Sequence, residues 1–169
     1  MNNVWYGKLD NTPIDHLWVA ISEKGLIAIK FRGSEEDFVT YVKKLTKLNP
    51  EPDSSKLEEP FRQLTAYLAG ELKEFTLPIC WDVMTDFQQT SLRHVYDIPY
   101  GKLCTYSDIA HALGNPKTIR AVGRANATNP IPLVIPCHRV IGSNGKLTGF
   151  GGGLETKAQL LRMEGSWLI

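Results

Sequence analysis

The spacing of apolar residues changes along the chain, and this change limits the possible folds more than any other feature. In the first half, the segments VWYGKL, HLWVAI and LIAIKF have the apolar patterns that are typical of strands. From Phe87 onward, apolar residues recur at helical spacing. The sequence therefore predicts a mixed α/β (α+β) fold, in which a small N-terminal antiparallel sheet with helices precedes a mostly helical C-terminal domain.

Two helices are expected to follow the strands. Ser34 and Asp37 have the spacing of a capping box, and the apolar residues after them continue at helical spacing. The segment NPEPDSSKLEEP is rich in proline, serine and acidic residues, which predicts a loop. A second, short helix should follow this loop and end near Gly70.

The length of 169 residues fits one domain or two small ones. We expect a boundary near residues 77–84, which gives an N-terminal domain of residues 1–80 and a C-terminal domain of residues 81–169. Composition is that of a soluble globular protein, and no apolar run approaches the roughly 18 residues that a membrane span needs. The N-terminal MNNVWYGKLD lacks the basic and apolar regions of a secretory signal, so a cytoplasmic location is expected.

Three cysteines are too few for a disulfide framework, and none forms a C-x-x-C pair that would indicate zinc. Cys80 and Cys104 have no histidine nearby in sequence, which favours a role as small core residues. Cys137 differs because His138 and Arg139 follow it, and a base or a positive charge favours the nucleophilic thiolate. Adjacent side chains diverge along the backbone, which favours a water bridge between Cys137 and His138.

A base of this kind needs a third group to orient it, and Glu164 is the candidate for His138. The last segment, GGLETKAQLLRMEG, predicts a helix that ends at Gly165 and turns three residues inward: Leu154, Ala158 and Leu161. Glu164 falls at the edge of this apolar face. A carboxylate in a last helical turn opposes the helix dipole at about 0.3 to 1 kcal/mol, which favours a functional reason for it. The alternative is an exposed glutamate that pairs with Arg162 or water.

Charge is unevenly distributed although the net charge is only +1. Fifteen of the eighteen acidic residues precede Lys102, whereas residues 109–154 contain five basic residues and no acidic one. A phosphate backbone would prefer this C-terminal surface. A solvated basic face without a partner is the alternative that charge alone leaves open.

Between the N-terminal half and the last predicted helix, the sequence predicts three more helices. The first carries Phe87, Ser91, Val95 and Ile98 on one face and should stop before Pro99. The second should begin after Thr105, which with Asp108 resembles a helix cap, and should end at Gly114.

The third predicted helix begins near Lys117, after the turn GNPK, and carries Ile119 and Val122 inward. Two short helices joined in this way resemble a helix-turn-helix, a motif that also occurs in proteins that never bind DNA. Arg120 and Arg124 lie one turn apart on its second helix, which favours DNA binding.

The chain resembles the O6-alkylguanine-DNA alkyltransferases through the motifs TYSDIA, GNPKTIRAVG, NPIPLVIPCHRV, GFGGGL and MEG. The resemblance is close over residues 87–165 and looser over the rest. It implies a two-domain fold, minor-groove binding by a winged-helix-like helix-turn-helix, and flipping of the damaged guanine into a pocket. Flipping costs a few kcal/mol and exposes the O6 substituent. The implied reaction is irreversible alkyl transfer to a cysteine, once per molecule, since a thioether has no good leaving group.

By this resemblance, the acceptor would be Cys137, with His138 as its water-linked base and Glu164 as the partner of that base. Tyr106 would help to rotate the nucleotide and donate a proton to the guanine ring. Asn129 would hold the turn that joins the recognition helix to the active site.

The resemblance also assigns the contacts to DNA and base. Arg120 would replace the flipped base in the stack, and the DNA-binding set would comprise Tyr106, Thr118, Arg120, Ala121 and Arg124. The pocket would comprise Val140, Phe150, Gly151 and Gly152. The carbonyls of Cys137 and Val140 would receive the exocyclic amine of the base, and the Gly151 N–H would face O6. Three glycines in a row, Gly151, Gly152 and Gly153, let the backbone approach a flat ring.

Several positions depart from the pattern of other members. Phe150 and Gly151 stand where vertebrate members carry Tyr and Ser, and Arg124 and Asn126 replace smaller or apolar residues of some relatives. The N-terminal half lacks the ligands of the zinc site that certain members have. We therefore expect no metal and no cofactor, and a monomer whose partner is double-stranded DNA containing O6-alkylguanine.

Two other functions remain open from the residues. A lesion sensor would bind damaged DNA without accepting the alkyl group, although the presence of Cys137 argues against it. A cysteine hydrolase using Cys137 and His138 would turn over an ester or amide and would ignore DNA. O4-alkylthymine is open as a second substrate.

Overall fold

The computed structural model describes residues 1–167, and the chain divides into two units between Val83 and Met84. The last two positions of the expected C-terminal domain, residues 168–169, lie outside the described residues. Among the described helices, none is long and apolar enough to cross a membrane.

The N-terminal unit is built on a four-stranded sheet with the order β3-β2-β1-β4. Its strands are β1 (Val4–Leu9), β2 (Leu17–Ser22), β3 (Gly25–Phe31) and β4 (Glu51–Pro52). The first three are the strands expected from the sequence, and they pair antiparallel. β4 pairs parallel with β1, so the sheet is not purely antiparallel.

The prediction of a loop for the segment NPEPDSSKLEEP is wrong in part. The segment contains β4, a 3₁₀ helix at Ser54–Leu57 and the start of a helix at Glu58. Asp53 explains the departure, because its N–H donates to Tyr6 O on β1 (3.0 Å) and its side chain accepts from Ser55 N. Leu57 is fully buried, so tertiary packing outweighs a polar composition that by itself favours a loop.

Two helices complete this unit: α1 (Glu35–Thr46) and α2 (Glu58–Leu68). Ser34 caps α1 by accepting from Asp37 N, as expected. The buried side chains of α1 pack with the sheet in one apolar cluster, which includes Tyr6, Trp18, Phe38, Val42 and Cys80. Cys80 is thus a core residue, as expected.

The C-terminal unit is mostly helical, as expected. Its helices are α3 (Asp86–Tyr96), α4 (Tyr106–Ala112), α5 (Ile119–Ala127) and α6 (Leu154–Met163). Two short strands, β5 (Cys104–Thr105) and β6 (Val140–Ile141), pair in parallel. The mixed α+β class expected from the sequence is confirmed.

The predicted helix pair is present in this unit. Thr105 and Asp108 form a reciprocal capping box at the start of α4, and Gly114, with φ 82°, follows its end. A 3₁₀ turn at Pro116–Thr118 then leads into α5, on which Val122 is fully buried. The two helices therefore follow one another as in a helix-turn-helix.

Three residues expected to face inward are exposed instead: Phe87 by 38%, Ile119 by 42% and Leu154 by 51%. Each lies in the first turn of its helix, α3, α5 or α6. Side chains on a helix point toward its N-terminus, so a first-turn side chain extends past the helix end, where fewer neighbours cover it. The helical spacing of apolar residues does not predict this exposure of side chains in the first turn.

Candidate active site

A buried turn positions the acceptor segment. Asn129, near the end of α5, donates from Nδ2 to Ile135 O (2.9 Å), and its Oδ1 accepts from Ile131 N (3.0 Å). Residues 129–141 are all buried. Within this turn Leu133 has φ 73°, a left-handed conformation that only tertiary contacts maintain in a leucine. Asn129 therefore replaces regular secondary structure in fixing the path of the chain toward Cys137.

Cys137 begins a 3₁₀ helix, Cys137–Arg139, directly after Pro136. Its N–H donates to Ile135 O (2.7 Å), and its side chain is buried. Burial raises the pKa of the Cys137 thiol to about 11, against the lowering effects of a hydrogen bond from Asn129 and of the positive charge on Lys157. At neutral pH the cysteine is therefore a thiol, and it needs a base to become a nucleophile.

His138 and Glu164 form a fully buried pair. His138 Nε2 donates to Glu164 Oε2 (2.9 Å), although the two residues are 26 positions apart. Burial lowers the pKa of His138, and the Glu164 carboxylate only partly reverses this effect. His138 is therefore neutral near pH 7, which is the form that accepts a proton.

Arg139 holds the carboxylate of Glu164 at both oxygens. Its Nε donates to Oε1 (2.8 Å) and its Nη2 to Oε2 (2.9 Å), while Nη1 donates to Ile98 O (2.6 Å). Burial would raise the pKa of Glu164, but the hydrogen bonds from His138 and Arg139 lower it well below its ordinary value. The charge of Arg139, which was expected to favour the Cys137 thiolate, is thus paired with Glu164, and the groups that lower the pKa of Cys137 are Asn129 and Lys157.

Lys157 is a buried cation that the sequence analysis missed. Its Nζ donates to Val140 O (2.7 Å) and Thr148 O (3.3 Å), and burial lowers its pKa to about 8, an effect that the negative charge of an ionised Cys137 opposes. A signal was present, because Lys157 shares one helical face with Leu160, Leu161 and Glu164 at positions i, i+3, i+4 and i+7. A lysine on an apolar face indicates a buried partner.

Tyr106 occupies the first position of α4, and its hydroxyl lies 2.6 Å from Thr148 Oγ1. Its ring packs beside Gly123 of α5, where a Cβ would lie 4.0 Å from the ring. Phe150 has its ring centroid 6.3 Å from that of His138, at 75°. Thr148 and Phe150 belong to the same loop, which thus contacts both Tyr106 and His138.

The backbone groups assigned to the base also have defined surroundings. Cys137 O accepts from Asn126 Nδ2 (3.3 Å), and Val140 O accepts from Lys157. The Val140 N–H also donates to Cys137 O, so both lone pairs of that oxygen are already used, whereas the described donor to Val140 O is Lys157 Nζ. Gly151 is exposed, with open space at the position of a Cβ, whereas Gly152 is buried.

The residues assigned to DNA lie on and next to α5. Arg120 and Arg124 are exposed, one turn apart, while Thr118 and Ala121 are half-buried. The described contacts join Cys137 to Asn129 and Val140, and they join His138 to Glu164. The two groups are connected by the peptide bond between Cys137 and His138.

Family models match both parts of the chain. Residues 4–80 match the 6-O-methylguanine DNA methyltransferase, ribonuclease-like domain, and residues 86–166 match the 6-O-methylguanine DNA methyltransferase, DNA binding domain. The fold and the site thus define a class of protein in which a buried cysteine with a histidine–glutamate pair lies in a DNA-binding domain.

Named relatives agree with the family models. The chain is 45% identical over 157 residues to a methylated-DNA--protein-cysteine methyltransferase of Methanosarcina acetivorans, covering 89% of this chain and 99% of that protein. It is 42% identical over 154 residues to the constitutive methylated-DNA--protein-cysteine methyltransferase of Bacillus subtilis, covering 90% and 91%.

Solved structures are similar over nearly the whole chain. The crystal structure of Mycobacterium tuberculosis O6-methylguanine methyltransferase has a TM-score of 0.80 at 38% identity, covering 98% of this chain and 95% of that one. The structure of Mycobacterium tuberculosis OGT in complex with DNA has a TM-score of 0.79 at 37% identity, covering 96% and 93%. The chain belongs to the 6-O-methylguanine DNA methyltransferase family, which confirms the family expected from the sequence.

Proposed function

We propose that this protein repairs DNA by moving an alkyl group from O6 of guanine to Cys137, once per molecule. The observation that carries the proposal is the buried set of Cys137, His138 and Glu164 inside the part of the chain that matches a 6-O-methylguanine DNA methyltransferase DNA-binding domain. Relatives named methylated-DNA--protein-cysteine methyltransferase, one of them 45% identical over 157 residues, support the same reaction.

The reaction begins with deprotonation of Cys137, whose raised pKa keeps it a thiol at rest. His138 is neutral at rest and takes the proton through a bridging water. Because Glu164 accepts from Nε2 of His138, the proton enters at Nδ1. Glu164 stabilises the resulting imidazolium, and Arg139 holds Glu164 ionised and correctly oriented for this task.

The thiolate then attacks the alkyl carbon. The bond from carbon to O6 breaks, its electron pair passes to the guanine, and a proton from Tyr106 neutralises the ring. The proton that left Cys137 resides on His138 and returns through solvent to Tyr106. The thioether on Cys137 has no good leaving group, so one protein repairs one lesion.

DNA binding belongs to α4 and α5. The exposed Arg120 and Arg124 face phosphates and the minor groove, with support from Thr118, Ala121 and Tyr106. Arg120 enters the stack and offsets part of the few kcal/mol that flipping the guanine costs.

The flipped base binds at the loop around Phe150. Val140 O accepts a hydrogen bond from its exocyclic amine, Cys137 O accepts another in place of the long bond from Asn126 Nδ2 (3.3 Å), and the Gly151 N–H donates to O6. Gly151 is exposed, with open space at the position of a Cβ, so its backbone N–H is accessible to a bound base. Gly152 and Phe150 complete the pocket wall.

Further assignments rest on the same function. We assign the domains to residues 1–80 and 81–169, a division that the family-model limits at residues 80 and 86 support. We assign a monomer in the cytoplasm, where reducing conditions keep Cys137 available for a single reaction.

Intact-mass spectrometry after incubation with a duplex containing O6-methylguanine tests the proposal. The expected result is a gain of one methyl group per chain, with no further turnover. Binding without any gain in mass would instead indicate a lesion sensor. Repeated hydrolysis of a small acyl ester, with indifference to DNA, would indicate a cysteine hydrolase.

A further inference from the structure

Thr148 joins two groups of the active site through two different atoms. Its Oγ1 lies 2.6 Å from the hydroxyl oxygen of Tyr106, and its carbonyl oxygen accepts from Lys157 Nζ (3.3 Å). Lys157 Nζ in turn donates to Val140 O (2.7 Å). A single loop residue therefore connects the start of α4 to the strand that follows the acceptor cysteine.

The position of Thr148 is itself restricted by the preceding turn. Gly142 N donates to Lys146 O (3.0 Å), and Lys146 N donates to Asn144 Oδ1 (3.1 Å), which closes the turn. The Cγ2 of Thr148 lies 3.4 Å from the point that a Cβ on Gly142 would occupy, so the methyl group packs directly over this glycine. This packing restricts the orientation of the Thr148 side chain, and in this orientation its hydroxyl lies next to the hydroxyl of Tyr106.

The hydroxyls of Tyr106 and Thr148 have two hydrogens between them, and this number determines which hydrogen bonds they can make. Tyrosine and threonine each carry one O–H donor and can each accept. If Thr148 donates to the Tyr106 oxygen, the phenolic hydrogen points elsewhere and remains available to a third group. Accepting a hydrogen bond also polarises the phenol, which makes it a better donor.

We propose that Thr148 is a positioning residue for alkyl transfer: its hydroxyl donates to Tyr106 and directs the phenolic O–H toward the flipped guanine. This inference rests on the proposed function, in which Tyr106 donates to the guanine ring. Thr148 does not touch the reacting atoms. It acts through Tyr106, and its effect on the reaction disappears when Tyr106 has no hydroxyl.

Thr148→Val and Thr148→Ser form a matched pair for the test. Valine keeps the branched shape and removes the hydroxyl, whereas serine keeps the hydroxyl and removes the methyl group. The backbone carbonyl that Lys157 contacts is present in both variants. Thr148→Ala supplies a second variant without a hydroxyl, should valine disturb the loop.

The measurement is the single-turnover rate of methyl transfer from an O6-methylguanine duplex. Thr148→Val and Thr148→Ala should be slower by about 3- to 10-fold, the size expected for one neutral hydrogen bond, while Thr148→Ser stays within about twofold of the unchanged protein. In a Tyr106→Phe background, Thr148→Val should cause no further loss.

Equal rates for the valine, alanine and serine variants would overturn the inference. An undiminished loss from Thr148→Val in the Tyr106→Phe background would overturn it as well, because the hydroxyl would then act by another route. Failure of the proposed function looks different, since the unchanged protein would itself gain no methyl group.

Discussion

Replacing Glu164 with glutamine gives a direct test of the buried charge cluster. The substitution preserves size and removes the negative charge that Arg139 and His138 share. Arg139 is then left as a buried guanidinium with no anion, and its remaining described partners are the carbonyl of Ile98 and the ring of Tyr100. Glutamine also cannot stabilise an imidazolium as a carboxylate does, so both stability and transfer rate should fall.

Two independent routes give the size of the effect on stability. Removing one partner of a buried ion pair typically costs about 3 to 5 kcal/mol. Burial tends to raise the pKa of Glu164, but hydrogen bonds from His138 and Arg139 lower it to about 2 from 4.5. At about 1.4 kcal/mol per pH unit, this shift corresponds to ~3 kcal/mol.

The sign of the pH dependence follows from the lowered pKa. The contribution of Glu164 is fully present above its ordinary pKa of 4.5 and is lost as the pH falls toward its folded pKa of about 2. The stability gap between the unchanged protein and Glu164→Gln should therefore be largest near neutral pH and should narrow in acid.

Urea unfolding at a series of pH values, followed by circular dichroism, measures this gap. Glu155→Gln is the matched control, because Glu155 is exposed in the first turn of the same helix. This substitution should lower the free energy of unfolding by less than about 1 kcal/mol. A loss of stability in Glu164→Gln no larger than in the control, or a loss that is the same in acid as at neutral pH, would show that Glu164 does not stabilise the fold through its charge.

Three further predictions concern the reaction. Cys137→Ala should bind an O6-methylguanine duplex as tightly as the unchanged protein in fluorescence anisotropy and gain no mass; a gain would place the acceptor elsewhere. Arg120→Ala should slow transfer from duplex by at least about tenfold but transfer from free O6-benzylguanine by less than about twofold, because only the duplex requires flipping; equal losses would remove Arg120 from flipping. The transfer rate should be level from about pH 7 to 9 and fall only at a pH below the ordinary histidine pKa of 6.5, since the lowered pKa keeps His138 neutral in the upper range. A rise of about tenfold per pH unit over that range would show that solvent, and not His138, removes the thiol proton.

Local sequence patterns were sufficient for most elements of the fold. The capping pairs that begin with Ser34 and Thr105 marked real helix starts, since a cap depends on residues within one turn. β4 and the 3₁₀ helix after it were not predictable in this way. They exist because Asp53 bonds to β1 and Leu57 is buried, and both effects involve residues distant in sequence.

The residues of the candidate site also differ in whether local sequence patterns could identify them. Cys137 and His138 are adjacent, and Glu164 stands out by its poor local fit, so pattern reasoning could select them. The roles of Arg139 and Thr148 depend on partners 25 and 42 positions away in the chain. No periodicity or propensity encodes such pairings, which only the folded backbone brings together.

Locating the transferred methyl group on the protein tests whether Cys137 is the acceptor. A duplex carrying O6-methylguanine with a deuterated methyl group would be incubated with excess protein, and the digested protein would be mapped by tandem mass spectrometry. We expect one deuterated methyl group for each lesion, all of it on the Cys137 sulfur, and no label on Cys80 or Cys104. Label on another residue, or release of the deuterated methyl group into solution with repeated turnover, would contradict it.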